Sequence, residues 1–213
     1  MRHVLLFLFL LLHGTGLGQN LSVTITETGR EEKKPDPALL DLYAFMKVQR
    51  YTARFKMPDK KRHDVVLVKK SVYKDSVVTA DTLWNSLPWQ KKLVGGIAWD
   101  PTEGATFMAR KVDSTHYEIR FKVRMPVQRT IELPWPNNGY MLDEGLSSGG
   151  GPVKMELGVP MPIMVLTQPY PDPPPPKEAV IQRYCFGSDI PPEQWPGTYG
   201  VPHLYVFELT ILP

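Results

Sequence analysis

Cysteine is almost absent from this 213-residue chain, and Cys185 is the only one. That excludes an intramolecular disulfide and any zinc site built on paired thiolates. Histidine is nearly as scarce. His63, His116 and His203 are the three beyond the first twenty residues, and none of their spacings suits a helix or hairpin that would bring two onto one metal. They are expected as surface or loop residues, with no metal and no cofactor. Gly95-Gly96 and Gly149-Gly150-Gly151 lack the helix or the Lys-Ser/Thr that a phosphate-cradling loop requires, so they are expected as turn glycines. No fixed-period repeat occurs.

Long apolar runs are missing apart from Val4 to Leu12, nine residues that would span about 13 Å as a helix, against a hydrocarbon core of about 30 Å. Arg2 and His3 precede the run, and Gly16 and Gly18 follow it. This is the layout of a secretory signal peptide, with cleavage expected between Gly18 and Gln19 and no transmembrane span in the mature chain. Small secreted animal domains usually lean on disulfides, so a lone cysteine behind a leader points to a bacterial exported protein, periplasmic or at the cell surface.

The remaining composition, 42% apolar and 22% charged, is that of a globular protein and excludes a disordered chain. The charge is unevenly placed. Residues 19–125 carry 20 Lys and Arg against 13 Asp and Glu, whereas residues 126–213 carry 4 against 9, together with 17 of the 22 prolines. Only Pro126 separates the apolar runs at that division, which is too short for a linker, so 19–213 is expected to be a single β-rich domain with a proline-rich C-terminal half.

Alternation at period two predicts strands over 21–26, 51–57, 65–73, 77–78, 106–112, 116–125, 127–133, 153–157, 163–166, 180–186 and 204–212. The strongest is the hairpin ending in Tyr117, Ile119, Phe121, Val123 and Met125 on one face and Glu118, Arg120, Lys122 and Arg124 on the other. Asp36-Pro37 begins one short helix, about 37–47, with Leu39, Leu42, Tyr43 and Met46 at spacings of three and four. Asp81 is placed to cap a helical turn through Leu83 and Trp84 that Pro88 would stop. Residues 169–176, with six prolines, are expected as extended polyproline. The sum is a mainly β, antiparallel sandwich with one N-terminal helix. The alternative is an α+β fold in which that helix covers one sheet face.

Chemistry is hard to find in the residues. Cys185 lies between Tyr184 and Phe186 in an apolar segment, the setting of a core cysteine and not of an activated thiolate. Two carboxylate pairs, Asp100 with Glu103 and Asp143 with Glu144, are the loop acids that a carbohydrate-active hydrolase would use. Trp99 and Trp135, beside turn residues, are the preferred contact residues, with Asp100 and Tyr140 next to them. Arg120, Lys122 and Arg124, joined by Arg110, Lys111 and Arg129, form a basic face suited to anionic lipid headgroups or acidic glycans. Export argues against nucleic acid. The expectation is a non-enzymatic binding or envelope-interaction module with a glycan or an envelope protein as partner. The hydrolase is the runner-up, and an assembly role for the polyproline segment or an edge strand comes third.

Overall fold

The computed structural model describes residues 21–27, 36–57, 63–74, 76–90, 104–122, 126–134, 139–145, 151–168 and 190–213. Period-two alternation becomes eleven antiparallel strands in two sheets among these residues. Strands β1 (Leu21–Glu27), β2 (Val48–Lys56), β5 (Ala105–Lys111), β6 (His116–Lys122), β7 (Pro126–Glu132) and β9 (Val153–Met155) form a six-stranded sheet ordered β7-β6-β5-β2-β1-β9. The five-stranded sheet is ordered β4-β3-β11-β10-β8, from β3 (Val65–Tyr73), β4 (Ser76–Asn85), β8 (Met141–Glu144), β10 (Met161–Thr167) and β11 (His203–Ile211). The protein is a β-sandwich, as the alternation implied.

Alternate residues of each strand meet between the sheets. Ile25, Phe55, Phe107, Ile119 and Phe121 of one sheet pack with Leu67, Leu166, Phe207 and Leu209 of the other in one buried cluster. Phe107 and Phe121 face each other across the β5/β6 ladder with ring centroids 4.6 Å apart. Each such side chain contributes about 1.5–3 kcal/mol by leaving water.

The five-stranded sheet is buried on its second face too. There Val72, Val165, Leu204 and Val206 pack under Trp195, which is 2% exposed and donates its indole N–H to the Ile190 carbonyl at 2.9 Å. Trp195 opens a short helix (Trp195–Tyr199), preceded by a 3-10 turn at Pro192–Gln194, and Gly200 ends it in the left-handed conformation at φ 69°. Sequence patterning missed this cap, because five residues are too few for a helical period.

Hydrogen bonds between the sheets supplement the apolar core. Tyr51 donates to the Leu142 carbonyl at 3.2 Å and Tyr205 to the Glu132 carbonyl at 2.7 Å. Gln49 pairs with both main-chain groups of Leu142, at 3.1 and 2.8 Å. Edge strand β8 is thereby tied to the facing sheet.

Several expectations are corrected. Asp81 to Trp84 is strand, not a helical turn, because Asp81 pairs in register with Lys69 and bridges its ammonium at 2.9 Å. Pro162 lies within β10. β10 accommodates it with a register shift between Pro162 and Met164, and Gly145 lets the two backbones approach there. His63 and His203 are buried and not surface residues. The helix forms as α1 (Pro37–Phe45), capped by Asp36 accepting from the Ala38 N–H at 3.0 Å, but it buries none of its residues. It therefore adds nothing to the core, which the two sheets make by themselves, unlike the packed helix of the α+β alternative. The leader at 1–18, the polyproline segment, Cys185 and the 180–186 strand lie outside the described residues.

Candidate functional site

Register settles which side chains share the outer face of the six-stranded sheet. Lys154 of β9, Ser22 of β1 and Lys56 of β2 stand in one row, and Thr24 pairs with Arg54 in the next. Arg50 faces Met108, which faces Arg120, while Val48 faces Arg110, which faces Glu118. Thr52 faces Thr106, which faces Lys122. The face so assembled carries Arg50, Arg54, Lys56, Arg110, Arg120, Lys122 and Lys154 against Glu118 and Glu132. Serine and threonine hydroxyls fill the gaps.

Near the β2/β5/β6 end, α1 lies across this face and leaves a groove of about 210 Å³, lined by Leu42, Tyr43, Met46 and Val48 with Met108, Arg110, Glu118 and Arg120. Glu118 is held by Arg110 at 2.8 Å, with an Arg120 nitrogen at 3.9 Å, and Arg120 also donates to Gln128 at 2.7 Å. The guanidinium groups are thus oriented by neighbours on the same face. Two buried polar atoms on this face, Thr52 Oγ1 and Arg110 Nε, have no hydrogen-bond partner among the described residues. Gln168 Oε1, at the end of β10 in the other sheet, is a third such atom, so these unsatisfied groups are not confined to this face.

The residues named from the sequence divide cleanly. Arg120, Lys122 and Arg110 share this face, whereas Lys111, opposite the inward Tyr117, belongs to the other side of its strand. Arg129 points to the other side of its strand, where it reaches the Leu83 carbonyl at 3.4 Å. Arg124, Trp99, Asp100 and Trp135 lie outside the described residues. Tyr140 is 4% exposed, so its ring is no contact surface. Asp143 and Glu144 are not loop acids but neighbours in β8, so their side chains point to opposite faces and cannot flank one sugar. Among the described residues no group of His, Cys, Asp or Glu is arranged to hold a metal ion.

One polar cluster escaped the motif reading. His203 has its Nδ1 2.8 Å from the Tyr140 hydroxyl and its Nε2 2.8 Å from Ser71 Oγ. Burial, and then the Lys69 ammonium, lower the imidazole pKa to about 4, so it is neutral at neutral pH. Burial raises Tyr140 far above the ordinary phenol range, with Tyr205 adding to the effect. Tyr117 of the facing sheet donates to the Tyr140 carbonyl. The chain of bonds runs from β3 through β11 into the other sheet, which is the work of a structural tie. The chain also holds one Gly-x-Ser-x-Gly spacing, Gly145 to Gly149. It follows an antiparallel edge strand, whereas a nucleophile elbow belongs at the end of a parallel-sheet strand leading into a helix.

No helix among the described residues is long and apolar enough to cross a membrane. Comparison with protein-family models, with curated proteins and with solved structures gives no match.

Proposed function

We propose that this protein is an exported, non-enzymatic binding module, and that the outer face of its six-stranded sheet is the surface that recognises an anionic partner. The carrying observation is the segregation of seven cations and two carboxylates onto one face, with a half-apolar groove at its end. A rigid sandwich holds these charges at fixed spacing, so an anionic partner binds without ordering the face first. Export is supported by the Val4–Leu12 run with Gly16 and Gly18 after it, and by the single cysteine. It places the protein in the periplasm or at the cell surface of a bacterium.

Retention on a sulfated polysaccharide column tests this reading. Arg54, Lys56 and Lys122 are exposed and stand on three separate rows, so R54T/K56T/K122T removes charge without touching the core. Wild type is expected to bind and to elute as ionic strength rises, since exposed charges are screened within about 8–10 Å at physiological salt. The triple variant is expected to elute far earlier with an unchanged unfolding temperature. Wild type that flows through at low salt, on this matrix and over anionic vesicles alike, overturns the reading.

A further inference from the structure

The apolar part of the site is unusual. α1 is apolar nearly all round, with Asp41 its only charged residue, and a helix of that kind is expected to be buried. Here Phe45 is 86% exposed, and Leu42 and Met46, although they line the groove, remain 48% and 45% exposed. Leu39, Leu42 and Met46 fall at i, i+3 and i+7, with Phe45 beside them, so the exposed groups share one side of the helix. Lys47 follows directly, and Arg110 and Arg120 line the sheet side of the groove beside the helix.

We propose that the anionic partner is the surface of a lipid bilayer with acidic headgroups: α1 enters the interface by Leu42, Phe45 and Met46 while the sheet cations contact the phosphates. This rests on the reading of the outer face as the recognition surface, and adds to it the identity of the partner. A soluble polyanion would be held by the cations alone and would leave Phe45 in water. A bilayer satisfies both, because its apolar boundary lies a few ångströms below its charged plane, the arrangement that interfacial helices with a cationic surround exploit. The cations are also spread as a plane of phosphates requires. From Lys122 on β6 to Lys154 on β9 is four strand spacings, about 19 Å, broader than a single small ligand. Glu118 does not oppose this, being held by Arg110, and Asp36 is engaged as the helix cap. Asp41 is the one acid on the helix, and at four residues before Phe45 it lies beside that side chain, so its carboxylate is the one charge that insertion carries toward the headgroups.

The test is sedimentation with vesicles of phosphatidylglycerol mixed into phosphatidylcholine, compared with phosphatidylcholine alone. It uses protein whose N-terminus mass spectrometry shows to lack the Val4–Leu12 run. Wild type is expected to bind only the anionic vesicles. F45S, and L42S/F45S as a second variant, are expected to lose about tenfold or more in partitioning, because a large side chain no longer leaves water. R54T/K56T/K122T loses about fivefold per cation. F45W is expected to show a blue-shifted emission with anionic vesicles. Variants that unfold at the wild-type temperature yet bind vesicles as tightly as wild type overturn insertion by α1. Retention on the sulfated polysaccharide by both wild type and F45S, with no binding to vesicles, overturns the bilayer and leaves the anionic face standing. Binding to neither removes both.

Discussion

His203 Nδ1 lies 2.8 Å from the Tyr140 hydroxyl, and the Tyr140 carbonyl accepts from Tyr117 of the opposite sheet. One residue of the five-stranded sheet is thus joined to the six-stranded sheet through both polar ends of a single tyrosine.

This tie makes stability depend on pH. The folded imidazole titrates near 4, against 6.5 for the ordinary group, so the unfolded chain binds a proton that the folded one refuses between those values. The contribution is complete above pH 6.5, is lost as pH falls toward 4, and is on the order of 2 kcal/mol. Urea midpoints from pH 7.5 to 4 for wild type and His203→Gln are expected to converge on acidification. A gap that stays constant across the range contradicts this account.

Lys70 holds two carboxylates on the covered face of the five-stranded sheet, Glu208 and, at 3.2 Å, Glu193 from the turn before Trp195. Burial opposes its charge, but Glu208 and then Glu193 outweigh that and raise its pKa. Glu208 is pushed up by burial against the pull of Lys70, with Glu193 adding to the rise. Lys70→Met leaves two acids facing each other without a counter-ion, and a loss of about 3 kcal/mol is expected. Burying Trp195 beside them makes its fluorescence the probe, and an emission maximum that shifts to the red before global unfolding would show the 190–199 cap lifting first.

Gly145 gives its N–H to the Ile163 carbonyl at 3.0 Å, and a Cβ there would lie 2.8 Å from the Pro162 oxygen and 3.2 Å from the Ile163 carbonyl carbon. Those are backbone atoms within the β10 bulge and cannot swing aside. Gly145→Ala is expected to cost about 2 kcal/mol by forcing β8 and β10 apart. Thermal melts that overlay wild type would show that the edge can yield.

Tyr51→Phe and Tyr205→Phe each remove one hydrogen bond between the sheets and leave a carbonyl to find another donor. A loss of about 1 kcal/mol apiece is expected in urea unfolding, adding in the double variant because the two bonds involve separate partners. A stabilised variant would mean that the hydroxyls cost more to bury than their bonds return.

Much of this was legible beforehand. Tyr117 to Lys122 alternates so regularly that strand, register face and the basic side could all be assigned from the residues, and Asp36-Pro37 marked the helix start. The errors have one cause. Asp81 in isolation is a helix cap, and only pairing with Lys69 makes it a strand residue. Tyr140 and His203 looked like loop and surface groups because nothing local shows that β8 and β11 bring them together across 63 positions.

The sequence by itself determined a β-rich sandwich, because alternation at period two depends only on neighbours in the chain. It also determined that positive charge is concentrated before residue 126 and proline after it. Tertiary structure alone decided what the charge means. Cations from β2, β5, β6 and β9 reach one face because antiparallel register aligns them, and α1 is left apolar and exposed above them because the core was already filled from the two sheets.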